Sequence, residues 1–388
     1  GSSPSRNSGQ VGGVDRGVIG RVAEALRGAK RPTVMIGKMA LESPDGMYAE
    51  VEDLCAKFGI KPSIMRGKGN AFGVALAGVL PDTGPGGRPL AHVRGELESV
   101  WGASVAVEPG LSGPHIIEAG ARGELDLVYV AGADPATDVP DRSQWVAARS
   151  RIPFVVVAEA FLSETAQAAD VVLPALVIPE KDGTVSSIEG RIQRVRAAVR
   201  GPGEARGDWQ IVSALAARLG VTVAYSGWEE IFNEMKTLIP GLEVEALMPP
   251  IAPARSSGPD SRVRATGGRE TAQNGEYPLT LIAGDVLFDR GSMSGRSPAI
   301  ADLAGEPWAM LNPDEAAKIT VADGDPIVLE ARRGSIAVTA KVSAAIPPAH
   351  VYVPRGYDAA PVSAIADMDE AVTRVRVRAL EAEGRRNG

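Results

Sequence analysis

The sequence is poor in side chains that bind redox metals. Among its 388 residues are one cysteine, Cys55, and three histidines, His92, His115 and His350. A single thiol excludes an intramolecular disulfide, and it also excludes a four-thiolate iron–sulfur cluster or zinc site built from this chain alone. The histidines lie far apart, and no HExxH or HxxxH pair places two of them on one helical face. We therefore predict no metal site within this chain.

Net positive charge and long apolar runs are also missing. The chain has 41 Lys and Arg residues against 48 Asp and Glu residues, a formal net charge of −7. No overall positive field therefore favours binding to nucleic acid or to an anionic membrane. No apolar stretch approaches the roughly 20 residues that a membrane-spanning helix needs. We predict no nucleic-acid partner and no direct membrane insertion.

Glycine and proline, by contrast, are abundant, with 45 and 29 residues that separate short apolar segments along the chain. The first segments predict a helix near residues 15–27 and a buried strand at 33–37. A second helix is predicted to begin after a Ser43-Pro44 cap and to end at Gly59. This order is typical of an α/β domain.

The alternation of strands and helices continues through the middle of the chain. Short apolar runs rich in β-branched residues occur at 125–130, 154–157 and 171–174, and such runs are typical of parallel strands buried on both faces. Helices are predicted at 164–169 and at 208–219, the second with Ile211, Val212, Leu215 and Leu219 facing the core. The predicted fold class is α/β, with a doubly wound, mostly parallel sheet.

The composition changes after residue 244. Residues 245–277 are rich in Pro, Ser, Gly, Arg and Asn, which predicts a linker. Period-two alternation follows at 279–283, 326–331, 335–342 and 350–354, interrupted by a helix that begins at Asn312-Pro313-Asp314. We predict a flexible lead-in at 1–13, an α/β domain at 14–244, a linker at 245–277, a smaller β-barrel domain at 278–380 and a tail at 381–388.

Common catalytic motifs do not fit. Gly37-Lys38 is not a P-loop, because Pro32 and Met39 replace the required glycine and hydroxyl residue. The segment 291–295 has Met293 where a serine nucleophile would stand. The residues alone predict no self-contained catalytic centre.

Five blocks of sequence nevertheless resemble the molybdopterin oxidoreductase superfamily. They are FVVVAEAFLSETA at 154–166, ADVVLP at 169–174, EKDGT at 180–184, EGRIQ at 189–193 and EARGDW at 204–209. Upstream, Gly132-Ala133-Asp134-Pro135 is similar to the GxNP turn of that family. The region from Leu279 is similar to its dinucleotide-binding domain, which implies a double-psi-type β-barrel.

Within the superfamily the chain is most similar to the G subunit of the proton-pumping NADH-quinone oxidoreductase, respiratory complex I. The similarity rests on GNA at 69–71, GVLP at 78–81, PGG at 85–87, WG at 101–102 and EGR at 189–191. It implies a cluster-free, carboxy-terminal scaffold portion of that peripheral-arm subunit, whose iron–sulfur clusters lie in an amino-terminal half absent from this sequence. Catalysis would belong to the whole complex, this chain having no catalytic centre. The implied partners are the other peripheral-arm subunits, and the implied location is the cytoplasmic face of the plasma membrane.

The resemblance also implies a pterin-type pocket at the carboxyl ends of the strands, where doubly wound sheets bind ligands. Its residues are Gly132, Asp134, Pro135, Glu159, Ser163 and Thr165. Glu159 stands where the family more often has Asp, and Asp134 stands where it has Asn. An added methylene or charge beside a pterin phosphate is costly, which favours a vestigial pocket. The alternative is the distal half of a molybdopterin-dependent enzyme such as a formate dehydrogenase, with a bound guanine-dinucleotide pterin.

Three residues of the matching blocks have predicted structural roles that need no cofactor. Asp170 is expected to orient the start of a strand, Gly183 to adopt a positive φ, and Asp208 to cap the helix that carries Trp209.

Overall fold

The computed structural model describes most of the chain. The described residues are 10–11, 14–37, 47–60, 62–65, 69–106, 108–139, 141–221, 223, 225–248, 275–286, 293–357, 359–366 and 372–380. The predicted Ser43-Pro44 cap, the tail at 381–388 and most of the lead-in and linker lie outside these residues.

Twelve helices occur within the described residues. They are α1 (Arg16–Gly28), α2 (Met47–Lys57), α3 (Ala71–Leu76), α4 (Leu90–Trp101), α5 (Gly113–Arg122), α6 (Pro135–Asp138), α7 (Arg142–Arg149), α8 (Glu164–Gln167), α9 (Asp208–Arg218), α10 (Trp228–Leu238), α11 (Pro298–Ala304) and α12 (Pro313–Lys318).

The strands are numbered in the same way. They are β1 (Gln10–Val11), β2 (Val14–Asp15), β3 (Met35–Ile36), β4 (Ser63–Ile64), β5 (Thr83–Gly84), β6 (Arg88–Pro89), β7 (Leu127–Ala131), β8 (Phe154–Glu159), β9 (Val171–Pro174), β10 (Gly183–Ser186), β11 (Ile192–Val195), β12 (Leu279–Gly284), β13 (Trp308–Leu311), β14 (Pro326–Ala331), β15 (Gly334–Val342), β16 (His350–Pro354) and β17 (Arg374–Ala379).

Side-chain caps explain where several helices begin. Asp15 accepts hydrogen bonds from the backbone N–H groups of Gly17 and Val18 at the start of α1, and Asn312 accepts one from Asp314 at the start of α12. An oxygen in this position satisfies a helical N–H group that has no partner within the helix. The helices predicted near 15–27 and after Asn312 are therefore confirmed.

The chain divides into two compact units. Unit 1 consists of Gly1–Gly110, Thr184–Arg194 and Ile231–Gly267, and unit 2 consists of Leu111–Gly183, Val195–Glu230 and Gly268–Gly388. The predicted domain boundaries stay predictions.

Unit 1 is held together by contacts between distant segments. The Arg88 guanidinium donates to the carbonyl of Leu238 at 2.7 Å, and Asn70 accepts a hydrogen bond from the Ser186 N–H at 2.8 Å. Asn70 has a φ of +59°, a conformation that asparagine adopts more readily than most residues. Strands β3 and β4 pair in parallel.

Unit 2 contains a three-stranded parallel sheet in the order β7-β8-β9. Val130, Val155 and Val157 turn one face of this sheet toward Trp145 and Ile152 in a common core. In a second cluster, Ile211 of α9 packs with Ala158 and Ala175. The strands and helices predicted between residues 125 and 219 are confirmed. The strands are not buried on both faces as predicted, because Leu127, Phe154, Val171 and Val172 are exposed.

The core face predicted for α9 is only partly correct. Ile211 is buried, but Val212, Leu215 and Leu219 are exposed. A sheet of three strands offers limited apolar area, and a single helical residue reaches its small cluster. The amphipathic pattern therefore identified the helix but overestimated how much of it is buried.

The carboxy-terminal part of unit 2 is a closed barrel in the order β12-β16-β13-β15-β14-β17. Two pairings, β12 with β16 and β13 with β15, are parallel, and the other four are antiparallel. Leu311, Ile327, Leu329 and Val351 are fully buried in its core. The predicted α/β fold followed by a β-barrel is confirmed, although β13 and β17 were not among the predicted strands.

Within the described ranges, no helix is both long enough and apolar enough to cross a membrane.

Candidate functional site

The candidate site begins at the turn that follows β7. Gly132 leaves the strand with a φ of +59°, in the region that glycine adopts at no steric cost. Its N–H donates to the carbonyl of Ala158 on β8 at 3.0 Å. This bond brings the ends of β7 and β8 together, as a parallel sheet requires.

Asp134 is the central polar side chain of this turn. It is only 8% exposed, and its Oδ1 atom accepts hydrogen bonds from the Thr165 N–H at 3.0 Å and from the Thr165 hydroxyl at 2.5 Å. Its Oδ2 atom accepts a hydrogen bond from the Thr137 hydroxyl at 3.0 Å. A buried carboxylate requires such partners, and here the fold supplies them.

Thr165 completes the connection between the two strand ends. Its side chain is fully buried, and its Oγ1 atom accepts a hydrogen bond from the Ala136 N–H at 3.0 Å while donating to Asp134. The hydroxyl group therefore uses its hydrogen on Asp134 and a lone pair on the backbone of α6.

The side chains of Ser163 and Glu159 each accept a hydrogen bond from a backbone N–H group close by in the chain. Ser163 caps α8, its Oγ atom accepting a hydrogen bond from the Ala166 N–H at 3.2 Å. Glu159, at the end of β8, accepts a hydrogen bond from the N–H of the next residue, Ala160, at 2.7 Å. Pro135 occupies the first position of α6, where its missing N–H costs nothing.

The structure brings all six predicted site residues to the same edge of the sheet, as the sequence predicted from the strand ends. It also adds a residue that sequence reasoning missed. The Arg296 guanidinium, from the 3-10 turn Ser294–Arg296, lies 5.8 Å from the centre of the Phe161 ring, a cation–π distance. No local motif signals this contact, because Arg296 and Phe161 are far apart in sequence.

Most of the hydrogen-bonding capacity at the centre of the site is already used within the fold. The Thr165 N–H and hydroxyl and the Asp134 Oδ1 atom are hydrogen-bonded to each other or to the backbone of α6, and Asp134 Oδ2 accepts one hydrogen bond, from Thr137. A pterin that bound through Thr165 or Asp134 Oδ1 would have to break these bonds, and the buried groups would then be left without their partners. Across the described residues, no three His, Cys, Asp or Glu side chains are grouped so that they could hold a metal ion.

One titratable group with a shifted pKa lies on β7, the strand that leads into the turn of the candidate site. Burial raises the pKa of Tyr129 on β7 above its ordinary value, and the negative charge of Asp208 raises it further. The Tyr129 hydroxyl is therefore neutral at physiological pH, and Asp208 itself pairs with Lys181 at 2.6 Å.

Two family descriptions match the chain. Residues 19–218 match "Molybdopterin oxidoreductase", and residues 279–376 match "Molydopterin dinucleotide binding domain". The second match covers β12 to β16 and the first half of β17.

Several curated relatives are similar over most of the chain. The F420-dependent formate dehydrogenase subunit alpha of Methanocaldococcus jannaschii is 29% identical, over 89% of this chain and 56% of its own length. The F420-dependent formate dehydrogenase 1 subunit alpha of Methanococcus maripaludis is 32% identical, over 76% and 48%. The G 2 subunit of NADH-quinone oxidoreductase from Rhizobium meliloti is 29% identical, over 93% and 44%. The chain thus spans about half the length of these relatives.

Among solved structures, acetylene hydratase from Pelobacter acetylenicus is similar with a TM-score of 0.58. The similarity covers 75% of this chain and 50% of that one at 16% identity, and it therefore shows the fold alone. Because the family match over residues 19–218 covers more than half of the sequence, the chain belongs to the molybdopterin oxidoreductase family.

Proposed function

We propose that this chain is the carboxy-terminal, cluster-free scaffold portion of a peripheral-arm subunit similar to the G subunit of NADH-quinone oxidoreductase. The observation that carries the proposal is the Asp134 carboxylate, which accepts three hydrogen bonds from Thr165 and Thr137. The side chain that would face a cofactor is instead used to connect two parts of the fold.

The pocket residues are then vestigial as ligands and retained as structure. Asp134, Ser163 and Thr165 each have a structural role in the turn or the helix cap, so their presence needs no cofactor to explain it. Gly132 and Pro135 are likewise explained by backbone conformation. We propose that this chain holds no cofactor of its own.

The single cysteine supports the proposal that this chain holds no redox centre. Cys55 is 1% exposed, and burial, followed by the negative charge of Glu52, raises the pKa of its thiol. A buried neutral thiol is a poor metal ligand, because metals bind the thiolate. The iron–sulfur clusters of the electron-transfer chain would therefore lie in a part of the protein outside this sequence.

A subunit of this kind acts only within an assembly. Its partners would be the other peripheral-arm subunits, on the cytoplasmic face of the plasma membrane, and its contribution is rigid support at fixed distances between redox centres made by others. The relative that covers the largest share of this chain among those described above is a G subunit, which supports this choice of partners.

The alternative proposal is the distal half of a molybdopterin-dependent oxidoreductase such as a formate dehydrogenase. It is favoured by the formate dehydrogenase subunits, which are as similar to the chain as the NADH-quinone oxidoreductase relative is. In that case the Arg296 guanidinium, which lies 5.8 Å from the centre of the Phe161 ring, would be a candidate to contact an anionic part of the cofactor.

Metal and nucleotide analysis of the full-length protein distinguishes the two proposals. We expect iron without stoichiometric molybdenum in the purified protein, and no guanine nucleotide in an acid extract. A formate dehydrogenase purified from the same host serves as the control and should contain both. One molybdenum and bound guanine nucleotide per chain would overturn the scaffold proposal.

A further inference from the structure

We propose that Arg333 fixes the barrel of unit 2 to helix α7 through its contacts with Asp141 and Ser143, which we call the latch. The latch thereby positions the Asp134–Thr165 connection at the candidate site. Arg333 lies in the two-residue turn between β14 and β15. The proposal concerns the fold itself and does not depend on whether a cofactor binds.

The contacts of the latch are made at the start of α7. Asp141 precedes the helix and accepts hydrogen bonds from the Ser143 N–H at 2.9 Å and the Ser143 hydroxyl at 2.6 Å, both at Oδ1. Arg333 donates from Nη1 to the Ser143 hydroxyl at 3.0 Å, and its Nη2 atom lies 3.5 Å from Asp141 Oδ2. One guanidinium thus faces both the cap and its hydroxyl partner.

Burial makes this arrangement sensitive to the loss of Arg333. The Asp141 side chain is only 1% exposed, and its Oδ2 atom has no hydrogen-bond partner in the described structure. A buried carboxylate oxygen without a hydrogen bond depends on a nearby cation, because an unpaired buried charge is strongly unfavourable. Arg333 supplies that cation from a turn that lies 190 residues from Ser143 along the chain.

The hairpin that carries Arg333 has little freedom to shift. A Cβ atom at Gly334 would lie 2.7 Å from the carbonyl oxygen of Ala364, so only glycine allows this approach. Ala364 belongs to the 3-10 turn Val362–Ala364, which itself contacts α7. The hairpin and this turn therefore meet α7 together.

A continuous series of contacts leads from the latch to the candidate site. Arg142, the first residue of α7, forms an ion pair with Glu164, the first residue of α8. The next residue, Thr165, binds Asp134 through its N–H and its hydroxyl. Displacing the start of α7 would therefore displace α8 and the turn after β7. Arg333 is in this sense a positioning residue, which acts through α7 without touching the site.

Hydrogen exchange of the full chain, followed by mass spectrometry, tests the latch. Arg333→Ala should accelerate backbone exchange in segments 134–138 and 163–167 by at least about tenfold, since local opening sets these rates. Adding Asp141→Asn should restore slow exchange, because asparagine still caps the helix and no charge is left unpaired. This rescue would not occur if Arg333 contributed packing alone.

Arg378→Ala is the matched control, because Arg378 pairs with Glu330 on the outer surface of the same barrel. It should leave exchange in 134–138 and 163–167 unchanged. Acceleration confined to the hairpin at 331–336, or a double variant that exchanges as fast as Arg333→Ala, would overturn the proposal. If Arg333→Ala does not fold, Arg333→Lys takes its place, because lysine keeps the charge but not the forked geometry. Exchange in segments 134–138 and 163–167 is then compared with and without Asp141→Asn.

Discussion

The Thr165 hydroxyl joins the Asp134 carboxylate to the backbone of α6. It donates to Asp134 Oδ1 at 2.5 Å and accepts a hydrogen bond from the Ala136 N–H at 3.0 Å. The two side chains are 31 residues apart in sequence, and both are buried. The turn after β7 and the start of α8 are therefore one connected polar unit.

Removing this hydroxyl should destabilise the protein. Thr165→Val preserves the shape of the side chain but leaves the Ala136 N–H and part of the Asp134 carboxylate without partners. We expect the free energy of unfolding to fall by about 1–3 kcal/mol in urea denaturation. Thr137→Val is the matched control, because its hydroxyl binds the same carboxylate from an exposed position. Equal losses in the two variants would contradict a special role for Thr165.

Gly190 should not tolerate a side chain. Its φ is +87°, and a Cβ atom there would lie 2.4 Å from the carbonyl oxygen of Met248. We expect Gly190→Ala to lower the free energy of unfolding by at least about 2 kcal/mol.

The control for Gly190 lies in the adjoining strand. Gly183 has nothing within 4 Å of its Cβ position and no positive φ, so Gly183→Ala should change stability by less than about 0.5 kcal/mol. Both variants are compared by thermal and urea denaturation. A neutral Gly190→Ala would show that the Met248 segment moves freely.

The barrel should lose stability in acid through Glu330. Hydrogen bonds from Arg378 and then Arg376 hold the pKa of this carboxyl below its ordinary value of 4.5. A carboxylate with a lowered pKa in the folded state stabilises the fold above its ordinary pKa, and this stabilisation is lost as the pH falls through the lowered value.

Urea titrations of wild type and Glu330→Gln at several pH values measure this effect. Wild type should be the more stable protein at pH 7, and the difference should shrink steadily below pH 4.5. A difference that is the same at pH 7 and at pH 3 would mean that the contribution of Glu330 is not electrostatic.

Predictions that rest on local chemistry were the most successful. The helices predicted near residues 15–27 and after Asn312 lie where the sequence placed them. Asp15 and Asn312 cap them, and a cap needs only a polar side chain and the next few N–H groups. Asp170 does orient the start of a strand, its carboxylate accepting a hydrogen bond from the Val155 N–H at 2.7 Å. The strand it orients is β8, the neighbour of its own strand β9.

Two of the predicted structural roles were wrong. Gly183 has no positive φ, whereas Gly190 has one. Asp208 is the first residue of α9 and not its cap, which is Gly207, and its carboxylate pairs with Lys181. In each case the backbone path, which local sequence does not fix, decided which residue took the role.

The missed strand β17 did have a signal in the sequence. Val375 and Val377 are buried, while Arg376 and Arg378 on either side are exposed, which is the period-two pattern of a half-buried strand. Strand β13 has the sequence WAML, and four consecutive apolar residues show no period-two alternation.

The amino-acid sequence alone determined the order and type of most elements, the family pattern and the set of side chains at the strand ends, because these depend on residues close together in the chain. Only the tertiary structure decided what those side chains bind. Asp134 meets Thr165 across 31 residues, and Arg333 meets Ser143 across 190. Hydrogen bonds and ion pairs form between groups that folding brings within about 3 Å, and no pattern of neighbours in sequence specifies which distant groups those are.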